Sequence, residues 1–518
     1  MKARRCCNVV SIRRRTPAST RVFGARVTIG AGGAICWQTL STPTTTCRTT
    51  ASPVSLARER CYGQSGGDKS PVKLRDSFRA RLARIVRRLL RALEIVLLWS
   101  PVVLSGSVLG VVNRLPFVPE ETTTHLLDAW WAFLLKVIAK SGPTFIKAAQ
   151  WASTRQDAFP SQVCTQLGKL HMFTRASTRR DGEDALQKAF GGVWRQFLAL
   201  EDEPLGSGCV ASVYKGHILA GENAGRVVAV KVLHPDIKRS VQLDLELLRH
   251  GTGLLERLPF LHLHWLSLSE CVDEFASLME MQMDLRLEAA NLERFTKNFE
   301  DDPTTLFPEP VYPWVHESVL TESFVSGQPI SDFFPSKTLA RKGLQAFLKM
   351  VFLSNFVHGD LHPGNLMVGR REDNGEECLV FLDAGIVCEL DEEDRRNFCD
   401  LFHAVVVGDG RRAGSLMVER ARHQECRDPD GFCEGVDELV QRARSSGLRL
   451  GEIQAGDLLG RMFRLCLKHE VKLESKFARI LIAIAVLEGV GRSLDPDLNI
   501  LMASLPVVLK ATRINKVV

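Results

Sequence analysis

His358-Gly359-Asp360-Leu361-His362-Pro363-Gly364-Asn365 is the stretch on which the reading of this chain turns. Proline and glycine between Asp360 and Asn365 predict a loop rather than a helix. On such a loop a carboxylate can take or orient the proton of an attacking hydroxyl or water. An asparagine amide oxygen five positions on can serve a hard cation. His358 and His362 offer a rival reading as zinc ligands. They do not share a helix face, and no third ligand stands close in sequence, so zinc is disfavoured.

Working outward, Leu366-Met367-Val368, a polar turn containing Asn374-Gly375, and Leu379-Val380-Phe381-Leu382 predict a hairpin. It ends at Leu382-Asp383-Ala384-Gly385, so Asp383 emerges at a strand end aimed at the same place as Asn365. Asn365 and Asp383 are therefore the candidate Mg²⁺ ligands. Upstream, Gly206-Ser207-Gly208-Cys209-Val210-Ala211-Ser212-Val213 reads G-x-G-x-x-A-x-V. A Gly221–Gly225 turn and the apolar run Val227–Leu233 follow. A dinucleotide fingerprint would have a helix after the glycines. Here a second strand is predicted, which makes a flap whose backbone can approach phosphates closely. Gly206, Ser207, Gly208, Cys209, Ala211 and Val213 are the candidate nucleotide-contacting positions. Lys231 sits inside Val228-Ala229-Val230-Lys231. A lysine on an apolar strand must be paired to be buried, and phosphate oxygens plus a helix glutamate would pair it. Glycine flap, strand lysine, Asp–Asn loop and metal-binding aspartate stand in the order of a protein kinase, with D-A-G where D-F-G is usual. Asp360 and Lys231 are the candidate catalytic residues. The predicted chemistry is positioning and electrostatic stabilisation of the γ-phosphoryl group of Mg²⁺–ATP.

The residues between these motifs narrow the choice. Lys147-Ala148-Ala149-Gln150 resembles the K-x-G-Q signature of the UbiB family, the aarF-domain-containing (ADCK) atypical kinases. The loop H-G-D-L-H-P-G-N is that family's form, and Gln282-Met283-Asp284 followed by Glu288-Ala289-Ala290-Asn291 resembles its E-x-D…E-A-A-N segment. The resemblance covers roughly residues 120–500. It implies that Glu288 pairs with Lys231. It implies that Glu322 and Val325, in Leu320–Gly327, belong to a hinge holding adenine through backbone groups. Lys147, Gln150 and Asp284 would belong to a regulatory extension folded over the site. It also implies ATPase or small-molecule kinase activity supporting coenzyme Q (ubiquinone) synthesis at a membrane. The chain departs from the family where the signature glycine is Ala149 and the E-x-D glutamate is Gln282. Both changes touch the restraining contacts more than nucleotide binding. No A-P-E triplet follows Asp383, which argues against an ordinary peptide-directed kinase.

The rest of the chain sets the context. Its 518 residues are 45% hydrophobic and 25% charged, an ordinary globular balance. The net charge of +7 is uneven: residues 1–91 carry twenty Lys/Arg against three Asp/Glu, leaving the body acidic. That disfavours nucleic acid as a partner, since a binding domain keeps its charge in the folded part. Residues 1–58 hold ten Lys/Arg and no acid, the pattern of a mitochondrial transit peptide. A basic stretch, Lys73–Arg91, runs into Ile95–Val112, eighteen uncharged residues. This is near the minimum for a membrane span, with a surface-bound hairpin and a buried core helix as alternatives. Phe477–Val490 reads as a core helix because Arg479 and Glu488 interrupt it. The fourteen cysteines include no CxxC pair, so reduced thiols are expected.

The predicted fold is therefore α+β: an atypical protein-kinase-like fold with a small β-containing N-lobe, a helical C-lobe and a helical N-terminal extension. The predicted boundaries are 1–70 for transit peptide and linker and 71–114 for the basic segment and membrane span. The extension takes 115–200, the N-lobe 201–330 and the C-lobe 331–518. The expected ligands are ATP, Mg²⁺, a lipid or quinone precursor and a mitochondrial membrane surface, expected to be the inner membrane, with coenzyme Q synthesis proteins as partners. A nucleotide-gated pseudokinase scaffold and a protein Ser/Thr kinase stand as alternatives.

Overall fold

The computed structural model describes residues 78–112, 119–154, 161–172, 177–256, 268–371, 375–420, 426–445 and 455–471, with short pieces at 26–29, 35–38, 159 and within 480–507. The chain divides into two units, Met1–Gly67 and Asp68–Val518. In the first, β1 (Arg26–Ile29) and β2 (Ile35–Gln38) pair antiparallel. The rest of the predicted leader, and nearly all of Phe477–Val490, lie outside the described residues.

The second unit opens with α1 (Phe78–Val112), 35 residues long and so about 50 Å at 1.5 Å per residue. The basic stretch and the apolar run thus form one helix, which continues through Pro101. Proline has no N–H for the carbonyl four residues back; the Ser100 hydroxyl donates to that carbonyl, Leu97 O, at 3.3 Å. One face of α1 packs on α2 (Glu120–Ser141). Trp130 Nε1 donates to Val102 O at 3.2 Å, and Trp99 Nε1 to Ser141 Oγ at 3.0 Å. Gly106 admits the Trp130 ring, 3.1 Å from where a Cβ would stand. The other face is an uncovered apolar stripe: Leu89, Leu90, Leu93, Val96, Leu97, Val103, Leu104, Val108 and Val111 are each 55–66% exposed. Ile85–Val112 is long and apolar enough to cross a membrane and only 6% of its apolar window is buried, which removes the core-helix alternative.

After α2 come α3 (Pro143–Thr154), α4 (Ser161–Gly168) and α5 (Arg179–Phe190). The strands that follow are β3 (Leu198–Ser207), β4 (Ala211–Ile218), β5 (Val227–Leu233), β6 (Thr305–Leu306), β7 (Pro310–His316), β8 (Val319–Ser323), β9 (Gly327–Pro329), β10 (Val357–His358), β11 (Leu366–Arg370), β12 (Glu377–Phe381) and β13 (Val387–Cys388). Between β5 and β6 lie α6 (Ile237–Leu255), α7 (Leu268–Gln282) and α8 (Leu285–Asn298); later come α9 (Lys337–Leu348), α10 (Glu392–Val407), α11 (Gly410–Glu419), α12 (Pro429–Ser445) and α13 (Ala455–Lys468). The strands build an antiparallel five-stranded sheet in the order β3-β4-β5-β8-β7, a four-stranded sheet β6-β12-β11-β9, and the pair β10–β13.

Alternation along β4 and β5 gives the larger sheet two different faces. Tyr214, Val228, Val230 and Val232 pack with Leu186 of α5 and with Trp194. Gly182 lets α5 come this close, since a Cβ there would stand 3.0 Å from the Tyr214 ring. Ala229 and Lys231 face the opposite way, toward α8 and the cavity below. The main core continues beneath α8, where Phe295 stacks on Phe307 at 4.7 Å and meets Phe356 at 4.6 Å. The α1–α3 region is tied to this body through Arg91. Its Nε donates to Asp244 Oδ1 of α6 at 2.8 Å, and its NH2 to the Ser141 carbonyl at 2.5 Å. Asp244 is wholly buried, and its hydrogen bonds with Arg91 raise the guanidinium above its ordinary value against the cost of burial.

Candidate nucleotide site

A cavity of about 790 Å³ lies between the two sheets, within the usual range for a small-molecule pocket. Its deep wall carries three charges. Lys231 Nζ donates to Glu288 Oε1 and Oε2 at 2.7 and 2.9 Å and stands 3.0 Å from Asp383 Oδ1. Glu288 comes from the first turn of α8, whose N-cap is Asp284, accepting from Arg286 N–H at 3.1 Å. The lysine and glutamate side chains are 13% and 5% exposed. Burial alone would push the Lys231 ammonium down, but Asp383 and Glu288 outweigh it and hold it above its ordinary value. Burial pushes Glu288 up to about 7, against the pull of Lys231 and aided by repulsion from Asp383. Burial works on Asp383 in the same sense, but Lys231 and then Lys147 hold it well below the usual carboxylate range. Asp383 thus carries the charge that Glu288 shares only in part.

The Asp360–Asn365 loop is fastened to the Asp383 segment by His358, which is wholly buried. His358 Nδ1 accepts Asp360 N–H at 3.3 Å and its Nε2 donates to Leu382 O at 2.9 Å, which requires the neutral ring. Burial lowers its pKa, in keeping with that state. Both nitrogens are therefore engaged within the protein, and the zinc alternative has no free nitrogen here. Asn365 Nδ2 donates to Asp360 O at 2.9 Å, leaving its amide oxygen as the atom available to a cation. Leu382 N–H donates to Asn365 O at 2.9 Å, and Asn291 Nδ2 to Ala384 O at 2.8 Å. These bonds hold Asp383 at φ 54°, a left-handed conformation that is sparsely populated for aspartate. Asn365 and Asp383 fit a hard cation: one amide oxygen and one ionised carboxylate on the same wall.

The other predicted positions fall as follows. Gly206, Ser207, Gly208, Cys209, Ala211 and Val213 all line the cavity. The flap is pinned where Gly208 N–H donates to Ala211 O at 2.8 Å and His234 Nε2 to Gly208 O at 2.9 Å. Burial pushes the Cys209 thiol up, only partly offset by Lys147. Val325 lies just past the end of β8, and among the described residues its backbone N–H and C=O have no partner. Glu322 lies within β8, flanked by Ala229 of β5 and Pro310 of β7, and its side chain lines the cavity. Lys147 and Gln150 line the cavity from α3, although Gln150 Nε2 donates away, to Leu170 O at 2.9 Å. Asp284 is not on the wall: Arg286 Nε and NH2 hold its carboxylate at 2.9 and 2.6 Å. Gln282 is on the wall. Sequence reasoning gave no role to Asn291 or His234. Asn291 lies three residues after Glu288, hence on the same helix face, and that spacing was the available signal. His234 carried none.

Burial, then repulsion from Glu288, pushes the Glu322 carboxyl up to about 8. The folded state therefore holds a proton that the unfolded chain releases near 4.3. The neutral acid's contribution to stability is complete below the unfolded value and is lost as pH rises through about 8. Thermal unfolding of the wild type should thus lose stability relative to Glu322→Gln as pH rises from about 4.3 to about 8 and run parallel to it above that. Parallel curves for the two proteins would show that Glu322 does not titrate in this range.

Known proteins resemble this chain over most of its length. Residues 170–417 match the ABC1 atypical kinase-like domain, and residues 442–499 the UbiB helical domain. An ABC1 family protein of Saccharomyces cerevisiae, labelled mitochondrial, is 32% identical over 83% of this chain and 76% of its own length. A probable protein kinase UbiB of Xanthomonas campestris is 31% identical over 77% of this chain and 73% of its own. A protein of Mycobacterium tuberculosis solved with erythromycin is 21% identical and superposes with a TM-score of 0.48 over 74% of this chain and 97% of its own. With strand lysine, helix glutamate, Asp–Asn loop and strand-end aspartate gathered on one cavity, and with these relatives, this chain belongs to the ABC1/UbiB family of atypical kinase-like proteins.

Proposed function

We propose that this protein uses Mg²⁺–ATP at a mitochondrial membrane, hydrolysing it or passing its γ-phosphoryl group to a small lipid or quinone precursor, in support of coenzyme Q or mitochondrial lipid metabolism. The observation that carries this reading is the convergence of Lys231, Glu288, Asp383, Asn365 and Asp360 on one cavity. Lys231 fixes phosphate oxygens while Glu288 keeps the ammonium in place. Asp383 and Asn365 would hold Mg²⁺, whose charge neutralises the phosphate oxygens. Asp360 orients the attacking hydroxyl or water. Val325 offers its backbone to the base. Only eight residues separate Asp383 from Glu392 at the start of α10, too few for a peptide-docking segment, which favours a small acceptor. An ionised Asp383 and an available Asp360 favour turnover over a binding-only scaffold. The mitochondrial site rests on the acid-free leader and the labelled relatives, and the membrane on the uncovered stripe of α1. Coenzyme Q synthesis proteins are the proposed partners.

The test is thermal unfolding with ADP or ATP, with and without Mg²⁺. Ligand at a hundred times its dissociation constant should add about 2.7 kcal/mol, an upward Tm shift of a few degrees in a chain this long. Asp383→Asn should abolish the Mg²⁺-dependent part; an unchanged shift would remove Asp383 from the cation site. The membrane half is tested by flotation on liposomes containing anionic phospholipid. Replacing Leu89, Leu93, Leu97 and Leu104 by serine removes four exposed side chains, each able to contribute about 1.5 kcal/mol or more on burial. Binding should fall at least about a hundredfold. A variant that still floats would place the anchor elsewhere.

A further inference from the structure

The base-sized part of the cavity has an apolar roof, Val213 and Ala229, and an apolar floor, Met367. Its back edge is the backbone running from Ser323 to Gly327. Glu322, directly across from Ala229 and next to the Lys231–Leu320 pair, puts a carboxyl group between this backbone strip and the Lys231 triad. Among the described residues that carboxyl makes no hydrogen bond to protein, although it stands in the field of Glu288, Lys231 and Asp383. An acidic group on an otherwise apolar slot, left without a protein partner, needs one from the ligand.

We propose that the Glu322 side chain is a specificity residue that reads the N6/N7 edge of adenine, accepting from the N6 amino group and donating to N7. The inference rests on the nucleotide reading of the cavity. A base held at its Watson–Crick edge by the Val325 backbone turns its adjoining edge, N6 and N7, toward the residue one step nearer the triad. Adenine offers a donor and an acceptor side by side there. A neutral carboxylic acid offers the complementary acceptor and donor. Burial holds Glu322 up to about 8, so the neutral acid is the form present at pH 7. Guanine presents two acceptors on that edge, which one acid proton cannot satisfy together. The four-position run from Glu322 to Val325 therefore selects adenine through a side chain as well as through backbone.

The test compares the dissociation constants of ATP and 7-deaza-ATP at pH 7, by calorimetry on the full chain. The analogue lacks only the N7 acceptor, which the backbone strip does not reach. A good bidentate contact discriminates by about ten- to hundredfold. The wild type should bind 7-deaza-ATP about tenfold or more weakly than ATP. Glu322→Gln, whose amide also pairs an acceptor with a donor, should keep most of that ratio, and Glu322→Met should bring it near one. A ratio near one in the wild type, or the wild-type ratio kept in Glu322→Met, would overturn the inference while leaving the nucleotide site intact. Failure of the wild type to bind ATP at all would overturn the nucleotide reading itself. The wild-type comparison needs no variant, so a poorly folding substitution does not block the test.

Discussion

Asp360→Asn should lower ATP turnover by about 10²–10⁴-fold, the usual contribution of a positioned acid–base group, while leaving nucleotide affinity close to that of the wild type. The asymmetry follows from what holds Asp360. Its N–H is taken by His358 and its carbonyl by Asn365, so the loop is built from backbone contacts that asparagine keeps. The carboxylate itself has no hydrogen-bond partner among the described residues and lies on the cavity wall. In the proposed reading, binding rests on other groups: Lys231, the flap, Val325 and the Asn365–Asp383 pair. The substitution changes a proton acceptor into an amide at nearly constant volume. Single-turnover kinetics beside nucleotide titration would separate the two effects. Full turnover with normal binding would show that the acceptor is oriented by another group. A parallel loss of binding and turnover would place Asp360 in the nucleotide contact set.

The candidate site was readable because each of its parts is a local signal. A loop with Asp and Asn five apart, a strand ending in Asp, a glycine flap and a lysine on an apolar strand each state their geometry within about ten residues. The α+β kinase-like fold followed from their order. What could not be read is what long-range packing decides. Lys147 lies 84 residues before Lys231, yet it reaches the field of Asp383, and only a family resemblance suggested the meeting. Asp284 carries the same charge as a functional carboxylate, but Arg286 lies two residues on and α8 needs an N-cap. Local pairing claimed it, and Gln282 took the wall position instead. Glu322 is the converse case. Read as part of a hinge, it was given a backbone role. The strand register, which alternates faces and is fixed by the pairing of β5 with β8, turns its side chain inward.

The apolar run shows a third kind of difference. Composition alone left a span, a surface-bound hairpin and a core helix open for Ile95–Val112. The unbroken helix Phe78–Val112 leaves no hairpin in the run, and the core reading goes through the geometry of a partner: α2 covers a single face of α1, through Trp99, Trp130 and Val102. The remaining face stays bare along its length. The basic end of the same helix is fixed to α6 by Arg91 and by Arg88, whose NH2 meets Glu246 at 2.6 Å. The arginines thus differ in a way that charge counting merges. Arg91 is spent inside the protein, whereas Arg87 is exposed, its Nε donating to Ala83 O.

Lys231→Met should destabilise the fold and abolish phosphate binding together. Removing the ammonium leaves Glu288 and Asp383 facing each other with only the weaker field of Lys147 to offset them. Breaking a buried ion pair in this way costs about 3–5 kcal/mol. With an unfolding entropy of about 2 cal/mol/K per residue, the Tm of the second unit should fall by about 3–5 °C. The loss has a pH signature. Glu288 is pushed up to about 7 even beside Lys231, and without the lysine it moves higher still. Below that value it takes a proton and the repulsion with Asp383 is relieved. Above it both carboxylates are charged, so the penalty of Lys231→Met should grow as pH rises through 7. Glu288→Gln in the same chain removes the second charge, and the double variant should be more stable than the sum of the two single losses by about 1–3 kcal/mol. Strict additivity would show that the two residues do not share one electrostatic site. Nucleotide binding should stay lost in the double variant even where stability recovers, because the lysine that meets the phosphates in the proposed reading is gone.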